Sequence, residues 1–594
     1  MASFHALDYA VLVLSLMLSS FIGMFFAWKD RRKQNNAEFL LGSRQMGVVP
    51  VSLSLMASFM SAITVLAYPA EVYSRGAAIS VSVMSSMFAT ICAGELMVPV
   101  FYRLRLTSMN DYLERRFQSK ALRKGASAAS LFSVLIFLGV QLYAPAVAVE
   151  AVTGLAVPVS MLAVGTICTF YTTIGGMKAV VWTDVVQMSL MFFGLVMVFA
   201  KAVYDVGGLP EVFRRANEAG RLNVFRMMIN PYAADSFWNC FVGMGVLWFS
   251  ANGMNQMQIQ RYCSLPTAAK ARVAVYLNML GVASTITMAF GAGLSVYAYY
   301  HGCDPIGRGF IKSADQLMPY FVLERLNLPG IPGLFVSAVF AGSLSSLSSG
   351  FNSMSACIYE DFLAPYLPKN FADNRATLVT RLIALTIGVI TIGFGFLSAY
   401  VGNILHAALG ISAAIIGPTC GVFLCGVTLP FVNTPGAIAG FTVSLTICAW
   451  SAVGKLLYPA VMTQLPLVVQ FCNASLPDLA VSTVDYRTTV FYAKPVLRTI
   501  QPSGILQLYQ IHPYVIPAMS LAICVSVAVL VSIFTGGNRT TKIDPELFNY
   551  TCYEKFSWNP PKALDVLSWF DLGSDDDAKE SRVEDIPLKT QIRS

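Results

Sequence analysis

Residues 53–73 read LSLMASFMSAITVLAYPAEVY. The run is long and apolar enough to cross a bilayer, since roughly 20 residues rising about 1.5 Å each span the hydrocarbon. Yet Ser54, Ser58, Ser61, Thr64 and Pro69 interrupt it. A helix broken near Ser58–Thr64 frees backbone carbonyls, and carbonyls with serine hydroxyls are hard oxygen ligands suited to a small monovalent cation. Small and hydroxyl residues also line close helix–helix contacts. Taken alone, the stretch fits a packing face as well as an ion site.

The rest of the chain sets it in lipid. Of 594 residues 56% are hydrophobic and only 12% charged, and mean hydropathy is +0.62. Soluble chains are roughly 45–50% apolar and about 25% charged. The formal charge of +8 is spread over short connections and forms no nucleic-acid stripe. The twelve cysteines show no CxxC pair, the four histidines (His5, His301, His406, His512) pair with no carboxylate at metal-ligand spacing, and there is neither a phosphate-binding loop nor a GxSxG. Enzyme chemistry has little to stand on in this pattern, and no enzyme is expected. The first apolar run, Tyr9 to Trp28, follows Asp8 and lacks a basic start, so it reads as a spanning helix and not as a cleavable signal.

Windows of this size predict an all-α membrane protein of about 13 transmembrane helices: 8–28, 48–72, 78–102, 125–152, 157–175, 179–204, 235–258, 273–300, 331–358, 379–400, 403–429, 434–456 and 514–535. The connections 29–45, 103–124, 259–272 and 359–378 carry Lys and Arg about three times as densely as 205–234, 301–330 and 457–513. That places the N-terminus outside and the C-terminus inside. It makes 1–535 the membrane domain, 457–513 an extracellular loop and 536–594 a cytoplasmic tail ending past the run Asp575–Asp577. The sequon at Asn473 then faces outward and is a glycosylation candidate. Cys303 and Cys472 face the same oxidising side, which suggests a disulfide between them.

Two further polar clusters lie inside spans. AGSLSSLSSGFNSMS, residues 341–355, holds Ser343, Ser345, Ser346, Ser348, Ser349 and Ser353 within eleven residues. That exceeds what packing asks for and favours ion coordination, with adjacent Ser345 and Ser346 offering two oxygens and a carbonyl near Gly342 a third. IGGMKAVVWTDVVQ, residues 174–187, begins with a Gly175–Gly176 turn between two spans. Its Asp184 and Gln187, three apart, share a helix face. An intramembrane Asp is a functional candidate; the alternative is a residue reaching the interface beside Lys178.

Together with PVFYRLRLTSMNDYLERRF, YAPAVAVEAVTG, NQMQIQRY, ADQLMPYFVLE and EDFLAPY, these stretches resemble the sodium:solute symporter family over about residues 8–535. Within it they are most similar to the branch of sodium-coupled monocarboxylate, multivitamin and iodide transporters. The resemblance implies a LeuT-type core of two inverted repeats, about 48–204 and 235–429. It implies a first sodium held by the carbonyls of Ala57, Met60 and Gly342 and the hydroxyls of Ser345 and Ser346. A second sodium would use Ser58, Asp184 and Gln187, and substrate would lie near Thr64, Tyr143 and Trp248, with Asn255 and Gln256 on its path. Asn252, AYPAE at 67–71 and ISAAIIGPTCGVF at 411–423 depart from the branch pattern. The expected activity is plasma-membrane symport of Na+ with a small organic anion, short monocarboxylates foremost, by alternating access. Vitamins such as biotin or pantothenate and iodide-like anions are alternatives, as is a sodium-dependent sensor or channel that does not transport.

Overall fold

A computed structural model describes residues 4–29, 36–368, 371–400, 404–458, 465–469, 504–538 and 544–549. Asn473, Cys472 and the acidic tail lie outside them. In hydrocarbon a backbone must satisfy its own polar groups, which makes the helix the form available to each apolar run. The principal helices are α1 (Ala6–Lys29), α2 (Val48–Phe59), α3 (Ala62–Arg75), α4 (Val81–Leu96), α5 (Lys120–Thr153), α6 (Val157–Val206) and α7 (Met244–Gly253). They continue with α8 (Gln256–Tyr262), α9 (Ala268–Tyr299), α10 (Ile331–Cys357), α11 (Asp373–Tyr400), α12 (Ile404–Thr428), α13 (Thr434–Leu457) and α14 (Ile516–Phe534).

Among the described residues nine helices are long and apolar enough to cross a membrane, or ten counting α2 and α3 as one bent span. The difference from 13 has local causes. Spans 157–175 and 179–204 both fall within α6 and count there as one, although Gly176, whose φ of 61° and ψ of −160° are not helical, divides it into two helices. A side chain at Gly176 would meet Phe39, so the turn takes glycine for space as well as conformation. Span 235–258 is divided into a π-turn at Asn239–Gly243, then α7, then a break before α8.

The opening stretch is broken where the sequence placed the break. α2 ends at Phe59, α3 begins at Ala62, and the axes bend by 54°. Ser61 caps α3: its Oγ accepts from the Ile63 N–H at 3.2 Å, while its own N–H donates to Thr64 Oγ1 at 3.3 Å. This reciprocal arrangement is a capping box. Pro69 is not the breaker. It lies inside α3, where α9 crosses so closely that a Cβ on Gly293 would stand 2.7 Å from the Pro69 carbonyl oxygen.

At the centre runs α10, buried along nearly its whole length and packed on α6, α5, α1 and α11. Its small residues make those approaches possible. A Cβ on Gly342 would lie 2.6 Å from the Ala62 nitrogen, and one on Gly350 would lie 2.5 Å from Leu138 of α5.

Candidate functional site

In a continuous helix the N–H groups of Ser61, Ile63 and Thr64 would donate to the carbonyls of Ala57, Phe59 and Met60. Here they donate instead to Thr64 Oγ1, Ser61 Oγ and the Ser61 carbonyl. Those three carbonyls are thereby released at the buried end of α2, with Ala57 and Met60 fully shielded from solvent. Ser346 reaches the same place, its Oγ donating to the Ser58 carbonyl at 3.4 Å. Gly342 sits against the break but within unbroken α10.

Below the break lies a knot of buried charge. Asp184 Oδ2 accepts from Ser54 Oγ at 2.5 Å and from Arg261 Nη2 at 3.1 Å, and Oδ1 accepts from Ser345 Oγ at 2.7 Å. Asp184 is 0% exposed and Arg261 1%. Arg261 also donates from Nε to Ser54 Oγ at 2.7 Å, from Nη1 to the Met257 carbonyl at 2.6 Å, and from Nη2 to Ser349 Oγ. Ser58 closes the group, donating to the Ser54 carbonyl at 2.7 Å and lying 3.2 Å from Ser349 Oγ. A carboxylate with a guanidinium already beside it is a neutralised pair, tying α2, α6, α8 and α10 together.

These placements sharpen the sequence expectations. Ser345 and Ser346, expected on one ion, turn to different partners, Asp184 and the break. Gln187 does not join Asp184's group: its Nε2 donates to Ser19 of α1 at 3.3 Å. Thr64 is committed to the cap. Trp248 is buried and meets Phe59 edge to face, ring centroids 6.4 Å apart, and its Nε1 has no hydrogen-bond partner. Tyr143 is half-buried and packs with the Leu138–Leu142 cluster; nine residues from Val134, it lies on the opposite side of α5. Asn252 pairs with Thr90 and Asn278.

A cavity of about 220 Å³ lies beyond Phe59, at the end of the bundle bearing the basic connection 103–124. Phe137, Ser250, Asn255, Gln256 and Ser353 help to line it. Asn255 caps α8 through Oδ1. Gln256 is a clamp rather than a free wall residue, accepting from the Met109 N–H at 2.8 Å and donating to the Thr107 carbonyl at 2.5 Å.

Arg261 was missed in the sequence, and Ser54 and Ser349 stood out there only as members of polar runs, without their partners. Arg261 counted as a loop charge, although NQMQIQRY places it four residues, one turn, after Met257. On the far face, Cys303 forms a disulfide; its expected partner Cys472 is outside the described residues.

The sequence model described as "Sodium:solute symporter family" matches residues 39–444. The chain belongs to the sodium:solute symporter family. Among its relatives in that family, "Sodium-coupled monocarboxylate transporter 2" of Mus musculus is 35% identical over 589 residues, covering 98% of this chain and 92% of the relative. "Sodium-coupled monocarboxylate transporter 1" of Homo sapiens is 35% identical, covering 91% and 89%. The Homo sapiens "Sodium/iodide cotransporter" is 37% identical, covering 77% and 71%. The fold matches a solved Na+-coupled sialic acid symporter in a substrate-bound outward-open state, with a TM-score of 0.72, 19% identity, and 90% and 98% of the two chains covered. The chain is thus a multi-pass membrane protein, and its relatives are transporters rather than enzymes.

Proposed function

We propose that this chain carries Na+ together with a small organic anion, short monocarboxylates foremost, across the plasma membrane by alternating access. The observation that carries the reading is the buried helix break, where Ser346 of α10 reaches the Ser58 carbonyl and Gly342 is pressed against the Ser61–Ala62 backbone. The relatives named for monocarboxylate transport support the anion. The first sodium is held by Ala57, Met60, Ser346 and the neighbouring Ser345 and Gly342. The second uses Asp184 and Ser58, sharing the carboxylate with Arg261. Trp248 and Asn255 border the anion. Two inverted repeats, about 48–204 and 235–429, rock around this centre, with the N-terminus outside, the C-terminus inside, and Cys303–Cys472 and glycosylated Asn473 on the outer face. Each inward sodium charge contributes about 2.3 kcal/mol per 100 mV of membrane potential.

The test is current and tracer uptake in oocytes, with and without Na+, for lactate, nicotinate, biotin, pantothenate and iodide. Sodium-coupled uptake of the monocarboxylates is expected, and sodium-independent uptake of all five would sink the reading. Ser345→Ala and Ser346→Ala should each raise the sodium concentration for half-maximal transport severalfold. Unchanged sodium dependence in both would remove them from the site.

A further inference from the structure

Gln141, in the middle of α5, is 0% exposed, and neither atom of its amide has a hydrogen-bond partner. A buried amide with a donor and an acceptor both unmet is costly, because water no longer serves it. Its direction follows from helix geometry. Residues 130, 134, 137 and 141 recur at four, three and four, so Gln141 continues the stripe formed by Ser130, Val134 and Phe137 on the cavity wall. It stands one turn deeper than Phe137, toward the break.

The facing helix shows the same feature. On α10, Ser353 and Cys357 line the cavity, and Gly350, Ser346 and Ser343 extend their stripe inward. Leu138 packs on Gly350, which fixes the register of the two helices and sets Gln141 beside the Ser343–Ser346 turns. Ser346 belongs to the break, while Ser343 is fully buried and its hydroxyl has no partner. Between cavity and break, two facing walls therefore present an unpaired amide and an unpaired hydroxyl.

We propose that Gln141 and Ser343 are specificity-determining contacts for the carried anion, and that Gln141 selects acids bearing a hydroxyl next to the carboxylate. The inference rests on the symport reading above. The amide NH2 donates to one carboxylate oxygen, and the Ser343 hydroxyl donates to the other. The Gln141 carbonyl oxygen accepts from the 2-hydroxyl, so a ligand satisfying both ends of the amide must supply an acceptor and a donor side by side. A plain alkanoate leaves that carbonyl unmet.

The test compares sodium-driven uptake of lactate and propanoate in oocytes expressing the full chain or its variants, with surface labelling. Wild type should favour lactate. Gln141→Leu should raise the lactate KM at least about tenfold, the cost of one charge-assisted hydrogen bond, and the propanoate KM less, so the preference collapses while sodium half-saturation holds. Gln141→Met, nearly isosteric, serves if the leucine variant does not reach the surface. Ser343→Ala should raise both KM values alike. An unchanged lactate-to-propanoate ratio in a surface-expressed Gln141 variant overturns the inference and leaves symport standing. Wild type that takes up neither acid with sodium overturns the symport reading and the inference with it.

Discussion

Asp184 and Arg261 have almost no contact with solvent, and each makes the other tolerable. Removing one member of a buried pair leaves an uncompensated charge and costs about 3–5 kcal/mol, whereas removing both is far cheaper. Arg261→Met should therefore lower the melting temperature of the detergent-purified protein markedly, and the Arg261→Met/Asp184→Asn double variant should recover most of the loss. A single variant that melts with wild type would show that the pair does not hold the fold. Half of this pair was legible in the sequence. A carboxylate inside an apolar run stands out as a functional candidate, while an arginine beyond the end of one is counted with the loop. The hydroxyls that complete the knot come from positions 130 and 161 residues away from Asp184, Ser54 and Ser345, and no local pattern encodes such a pairing.

The break between α2 and α3 is the element on which the proposed sodium site rests, and it is held from both sides. Inside, Ser61 and Thr64 exchange hydrogen bonds across the first turn of α3. Outside, Gly342 leaves room for the Ser61–Ala62 backbone. Ser61→Ala should cost about 1 kcal/mol as a lost cap. Gly342→Ala should cost about 1–3 kcal/mol by overpacking and, by displacing the released carbonyls, should also raise the sodium concentration for half-maximal transport. Thermal melts and sodium titrations of the two variants separate these effects; a Gly342→Ala protein with wild-type sodium dependence would mean that the close approach does not shape the ion site. The place of the break was readable because hydroxyls and small residues gather there. Its cause was not, since the capping box of Ser61 and Thr64 sets the break while Pro69 lies within α3 beneath α9. The turn at Gly175–Gly176 was legible as well, and Gly176 takes a non-helical conformation between the two apolar runs of α6.

At the scale of the whole molecule, the end of the bundle remote from the cavity is laced together by segments far apart in sequence. Residues 465–469 bridge α3, the turn after 219 and the Cys303 segment: Leu465 N–H donates to the Ser74 carbonyl at 2.9 Å, Arg221 Nη2 to the Pro466 carbonyl at 3.1 Å, and Asp304 N–H to the Val468 carbonyl at 3.1 Å. His512, just before α14, completes the lacing, its N–H donating to the Pro231 carbonyl at 2.8 Å and its ring packed on Tyr514 at 4.4 Å. Burial, with Lys455 and Arg75 nearby, pushes its pKa down from 6.5 to about 3. The folded protein thus keeps His512 neutral where the unfolded chain would protonate it. The stabilisation is complete above pH 6.5 and is lost as pH falls below it, by about 1.4 kcal/mol at pH 5.5 from this group. Melting temperatures of wild type and His512→Asn at pH 7.5 and 5.5 test the point. Wild type should fall further on acidification than the variant, which has no imidazole to charge. An equal fall in both would mean that His512 is already protonated, or exposed, in the native protein.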